Sequence, residues 1–189
     1  MTLPERLVAL HQALARARIP HAFGGAVALA YWTLEPRGTR DIDVNLFVPA
    51  SDPDRALAAL PEGIVLPDGA RETIERDGQI RVWWDDTPVD LFFDYADVHV
   101  AAARHRRRVR FQNTRIPVLG PVELAVFKVM FDRTRDWADL EAMAERGTLD
   151  YAAVRASLRA MLAPDDARLV RLAELERRYA DRATRPSAT

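Results

Sequence analysis

Residues 41 to 48 read DIDVNLFV, and this stretch limits what the chain can be more than any other. Side chains alternate along an extended segment, so Ile42, Val44 and Leu46 fall on one face and Asp41, Asp43 and Asn45 on the other. That is the pattern of a half-buried strand. Its polar face is costly, because aspartate is depleted in strands and close like charges destabilise by up to about 1 kcal/mol per pair. Two carboxylates at i and i+2, roughly 6.5–7 Å apart, call for a compensating cation. Mg²⁺ takes one or two carboxylates together with water and substrate phosphates.

A third aspartate, Asp90 in PVDLFF, sits in another such pattern, with Val89 and Leu91 facing the opposite way. If the two strands are neighbours, three carboxylates converge. Upstream, HAFGG reads as a short strand ending in Gly24-Gly25, and AVALAYWTL as a helix that stops before Pro36. A glycine pair between strand and helix lets the backbone approach a ligand, and the helix N-terminus offers unpaired N–H groups to a phosphate. A lone D-x-D or glycine pair is common in unrelated chains. Their combination is what points to a metal–phosphate site.

The rest of the chain supplies a scaffold. Leu3, Leu7, Leu10, Leu14 and Ala17 mark one face of a helix closed by Pro20. A helical stretch is expected near 52 to 60, followed by a loop rich in Gly, Pro and Asp. QIRVWWD and PVDLFFD read as strands joined by a turn at Asp85 to Pro88, and RRVRFQ and RIPVLG as a further pair around Asn113. From residue 121 the pattern is helical, with starts at Pro121 and Asp150 and a stop at Gly147. The expected fold class is α/β (α+β): a lobe at 1–119 with a mixed β-sheet and flanking helices, a helical lobe at 120–182, and a flexible tail at 183–189.

The chain has no cysteine, which removes disulfides, thiolate metal sites and a cysteine nucleophile. Met1 to Ile19 show no basic segment followed by an apolar run, and no stretch approaches the roughly 20 apolar residues of a membrane span, so a cytoplasmic protein with no membrane partner is expected. The formal net charge of −1 conceals a basic run, RHRRRVR at 104 to 110, which suits either a polyanion track or the exposed face of a strand. Of the 27 Lys and Arg residues only Lys128 is lysine. In LAVFKVMF it reads as a point charge for phosphate or as a lysine snorkelling from a buried face. Glu123, Arg133 and Asp139 read equally as caps, inter-helix ion pairs or site residues.

Gly24-Gly25, then Arg37, Thr39, Asp41 and Asp43, then Asp90 resembles the nucleotidyltransferase superfamily of the DNA polymerase beta type. PRGTRDIDV and IPVLGPVELAVFKVMFDRTRDWADL are most similar to the AbiEii-like nucleotidyltransferases, toxins of type IV toxin–antitoxin systems that include the mycobacterial MenT enzymes. The resemblance covers about residues 20 to 145. It implies Mg²⁺ (or Mn²⁺) held by Asp41, Asp43 and Asp90, with Asp90 also helping to activate the attacking hydroxyl. It implies an NTP whose phosphates meet Gly24, Gly25, Arg37, Thr39 and Lys128, and a role for Asp136 in the later acidic motif. It further implies the 3′ end of tRNA as acceptor and a separately encoded antitoxin as partner. Ala26 stands where many members carry a hydroxyl. Other acceptors within the superfamily, an antibiotic or a protein hydroxyl, and a non-catalytic nucleotide-binding module are the alternative readings. GGAVAL lacks the aspartate that antibiotic-modifying relatives place after their glycine pair.

Overall fold

Helix α1 (Leu3–Arg16) shows how directly the sequence sets the frame. Thr2 and Glu5 exchange hydrogen bonds as a capping box, and Pro4 occupies the first turn, where a missing N–H leaves no bond unmade. Leu7, Leu10 and Leu14 form the buried stripe. Arg6, also buried, reaches across to Asp85 and Asp86 at 2.9 and 2.8 Å and ties the helix to a hairpin turn. The computed structural model describes residues 1–183. The tail expected at 183–189 lies, apart from Ala183, outside them.

Among the described residues seven strands form one mixed sheet: β1 (His21–Phe23), β2 (Ile42–Pro49), β3 (Ile64–Val65), β4 (Gln79–Trp84), β5 (Thr87–Asp94), β6 (Arg107–Phe111) and β7 (Thr114–Val118), in the order β3-β4-β5-β2-β1-β7-β6. β2 runs antiparallel to β1 and parallel to β5, so the two aspartate-bearing strands are neighbours. Ile42, Val44 and Leu46 meet Val89, Leu91 and Phe93 in register, and all six are fully buried. The alternation read from the sequence is thus the core face of both strands.

The remaining helices are α2 (Gly25–Thr33), α3 (Asp54–Leu57), α4 (Ala70–Asp77), α5 (Asp97–His105), α6 (Pro121–Phe131), α7 (Thr134–Arg146), α8 (Tyr151–Arg159) and α9 (Ala167–Ala183). One continuous core reaches from Leu7 in α1 to Leu175 in α9, so the sheet and the helical segments share it. Among the described residues no helix is long and apolar enough to cross a membrane.

Three local expectations need correction. Residues 70–77 form α4 rather than a loop; glycines in the left-handed region, Gly69 and Gly78, close both ends, and only Ala70 and Ile74 are buried, too sparse a stripe for periodicity to show. α5 went unread for the same reason, since only His99 and Ala102 are buried on it. The β4–β5 turn is Asp85-Asp86 alone, because Trp84 already pairs with Thr87. The basic run divides between the end of α5 and β6, where Arg107, Arg108 and Arg110 are exposed and Val109 faces inward.

Candidate active site

The sheet register gathers the site. Asp43 on β2 lies directly beside Asp90 on β5, and Asp90 lies directly beside Arg81 on β4. Directly paired residues share a face, so Asp43, Asp90 and Arg81 form one row on the side of the sheet opposite the Ile42–Leu46 face. Asp41 stands one residue before the strand begins.

The glycine pair closes over this row. The Gly24 N–H donates to the Asp43 carbonyl at 2.9 Å, where β1 gives way to α2. A Cβ on Gly24 would meet Asn45 Nδ2 at 3.1 Å and Leu119 Cδ1 at 3.2 Å. Gly25 has φ of +48°, and a Cβ there would overlap the Asp43 carboxylate. Gly25 therefore needs glycine for both space and backbone conformation, and Gly24 leaves a side chain room only if Asn45 and Leu119 give way slightly. The consequence is that the first turn of α2, with its unpaired N–H groups, lies against a carboxylate.

Asp43 is the one carboxylate of the cluster without a hydrogen-bond partner among the described residues. Burial first, then the charges of Asp41 and Asp90, push its carboxyl up to about 6, against a weaker pull from Lys128 and Arg133. Its neighbours are occupied: Asp41 accepts from the Thr39 hydroxyl, and Arg81 Nε and Nη2 each bond Asp90 at 2.7 Å. Among the described residues no three carboxylate or imidazole groups stand gathered at metal-ligand spacing; Asp90 is held by Arg81 and Asp41 by Thr39. The donor set nevertheless fits a hard divalent ion. It is all oxygen, and an ionised, unpartnered Asp43 beside two further carboxylates lacks the positive charge such an ion brings.

Behind the row, Lys128 on α6 with Asp136 and Asp139 on α7 form a buried ion cluster, which Arg37 and the exposed Arg133 extend. Lys128 is 4% exposed; its Nζ bonds Asp139 and stands 3.7 Å from Asp136. Arg37 reaches the same Asp139 with two hydrogen bonds of 3.0 Å. Arg133 binds Asp136 at 2.7 and 3.2 Å, and the Asp136 carboxylate also accepts from the Arg133 backbone at the start of α7. A chain of alternating charges, Arg37–Asp139–Lys128–Asp136–Arg133, thus lies under the cleft. Asp136 and Asp139 are buried charges that are tolerated because they are paired.

Two openings meet at Asp43 and Asp90. One cleft is lined by Gly25, Arg37, Asp41, Lys128, Arg133 and Arg135, with Asp136 at its base. The other groove runs past Arg81, Gln79 and Thr73 over Phe92 and Phe131, whose rings lie 5.8 Å apart. Of the residues expected from the sequence, Gly24, Gly25, Arg37, Asp41, Asp43, Asp90, Lys128 and Asp136 come together here. Thr39 does not line the charged cleft; its hydroxyl is spent on Asp41. Sequence reasoning did not assign Arg81, Arg135 or Asn45 to the site and left Arg133 and Asp139 undecided. A signal existed for Asp139, since Asp136 and Asp139 are spaced i, i+3 on a helix and so share a face.

The model of a family described as nucleotidyl transferase AbiEii toxin, type IV TA system, matches residues 8–187. No curated protein matches the chain. Among solved structures, ANT(2″)-Ia in complex with adenylyl-2″-tobramycin is similar with a TM-score of 0.55 and 13% identity, over 97% of this chain and 100% of that one. An antigenic nucleotidyltransferase-like protein from Paracoccidioides brasiliensis is similar with a TM-score of 0.50 and 13% identity, over 96% and 90% of the two chains. At such identities these likenesses speak to the fold.

Proposed function

Because the chain belongs to the nucleotidyl transferase AbiEii toxin family, and is by that membership a nucleotidyltransferase with an antitoxin partner, we propose that it moves a nucleoside monophosphate from an NTP to the 3′ end of tRNA at Asp41, Asp43 and Asp90. The observation that carries this reading is the meeting of two openings at one carboxylate pair. A cleft lined by Gly25 and by the charges of Arg37, Lys128, Arg133 and Arg135 suits a triphosphate, and a groove over Phe92 and Phe131 suits a stacked terminal nucleotide.

In the cleft, the first-turn N–H groups of α2 and the charges of Lys128, Arg37 and Arg133 bind and orient the triphosphate. Asp139 holds Lys128 and Arg37 in place for that task, and Asp136 holds Arg133. A divalent ion at Asp41, Asp43 and Asp90 would neutralise charge on the phosphates. The acceptor hydroxyl enters from the groove and gives its proton to Asp90. Its oxygen bonds to the α-phosphorus, the bond from that phosphorus to the β-phosphate bridge breaks, and pyrophosphate leaves past Arg37, Lys128 and Arg133.

The test is incubation of the protein with Mg²⁺, each α-labelled NTP in turn and total cellular RNA, resolved on a denaturing gel. Label in the tRNA band, lost in Asp43→Ala, is the expected result and also names the nucleotide. Label on a protein or small molecule instead would refute tRNA as acceptor.

A further inference from the structure

Among the described residues, Arg81 is the one cation that bonds a carboxylate of the row, and it stands apart from the α6–α7 network. It sits opposite Asp90 in the hairpin register, and its Nε and Nη2 occupy both carboxylate oxygens at 2.7 Å. The guanidinium side chain is 53% exposed and that of Asp90 18% exposed, so the pair stands at the mouth of the groove with room for the arginine to leave. Asp41 and Asp43 strengthen the hold on the guanidinium by adding negative charge behind Asp90.

An arginine in this place does two opposing things. It relieves the repulsion between Asp43 and Asp90 in the metal-free chain. It also takes one lone pair on each Asp90 oxygen and holds a positive charge against the carboxylate that a divalent cation would approach, so the two compete for Asp90.

We propose that Arg81 is a positioning residue that acts as the built-in counter-ion of Asp90, competes with the divalent cation for that carboxylate, and swings into the groove when the site is loaded. There its guanidinium is free for an anionic group of the entering acceptor, the phosphodiester next to the attacking hydroxyl. The inference rests on the assignment of Asp41, Asp43 and Asp90 as cation ligands. Competition makes the observed cation affinity weaker than the intrinsic one by the fraction of protein in which Arg81 has let go.

Binding of Mn²⁺ alone to the full chain, followed through the electron paramagnetic resonance signal of free Mn²⁺, tests this without reference to turnover. Arg81→Met should bind Mn²⁺ several-fold more tightly than the wild type. Arg81→Lys, which keeps the charge but loses the two-point grip, should lie between them. Asp90→Asn should bind more weakly than the wild type. A cross-strand pair of purely structural value would lower the urea midpoint of Arg81→Met in EDTA and leave Mn²⁺ affinity unchanged or weaker, and that result overturns the proposal while leaving the carboxylate assignment intact. Equal Mn²⁺ affinity in the wild type and Asp90→Asn would overturn both.

Discussion

Asp43→Asn should make the metal-free protein more stable at neutral pH. A carboxyl held at about 6 in the folded chain against an ordinary 3.8 is a group the fold prefers protonated. The sign follows from linkage: between those two values the unfolded chain has released its proton and the folded chain retains it, so stability from this group falls as pH rises from about 4 to about 6 and stays low above. Ionising it at pH 7.5 costs about 3 kcal/mol at most. Asp43 is half-buried, so solvent screening brings this to about 1–2 kcal/mol, a rise in Tm of roughly 3–6 °C for a chain of this size. Asparagine is close in shape, so thermal melting of both proteins in EDTA isolates the charge. The gap should be full at pH 7.5 and close towards pH 4. A less stable Asp43→Asn at pH 7.5, or a gain of the same size at pH 4, would refute the reasoning and make Asp43 a structural carboxylate.

Lys128→Met should destabilise by about 3 kcal/mol in urea melts, because it leaves Asp136 and Asp139 buried with one cation fewer; adding Asp139→Asn should recover part of that loss. Gly25→Ala should cost about 1–3 kcal/mol through its left-handed backbone and abolish transfer, since the new Cβ displaces the Asp43 carboxylate; full activity in this variant would mean the α2 turn does not lie over the site. Saturating Mn²⁺ should raise the Tm of the wild type more than that of Asp43→Asn, the reverse of their order in EDTA.

Much of this site was legible because the chemistry that makes it useful also breaks local rules. Asp43 and Asp90 are out of place on strands with fully buried neighbours, Asp41 stands just ahead of one of them, and Gly24-Gly25 punctuates a strand–helix junction. The Arg81–Asp90 pair was hidden by two residues of turn. A two-residue turn at Asp85-Asp86 pairs Arg81 with Asp90, whereas a turn ending at Pro88 would place Arg81 opposite Phe92. Register depends on turn length, and Pro88 read as a turn residue although it lies within β5. α4 and α5 escaped notice because a short helix covering a sheet buries too few side chains to leave a periodic trace. The roles of Arg37 and Asp139 depend on a contact spanning 102 residues, which spacing along the chain does not encode.

The most direct test of the Asp43–Asp90 row as a nucleotidyl-transfer centre is a paired labelling experiment with total RNA, using one NTP labelled at the α-phosphate and the same NTP labelled at the γ-phosphate. The account predicts α-label joined to the acceptor and γ-label released as pyrophosphate in equal amounts, with both signals lost in a folded Asp43→Asn. Transfer of γ-label to the acceptor, or undiminished transfer of α-label by Asp43→Asn, would contradict it.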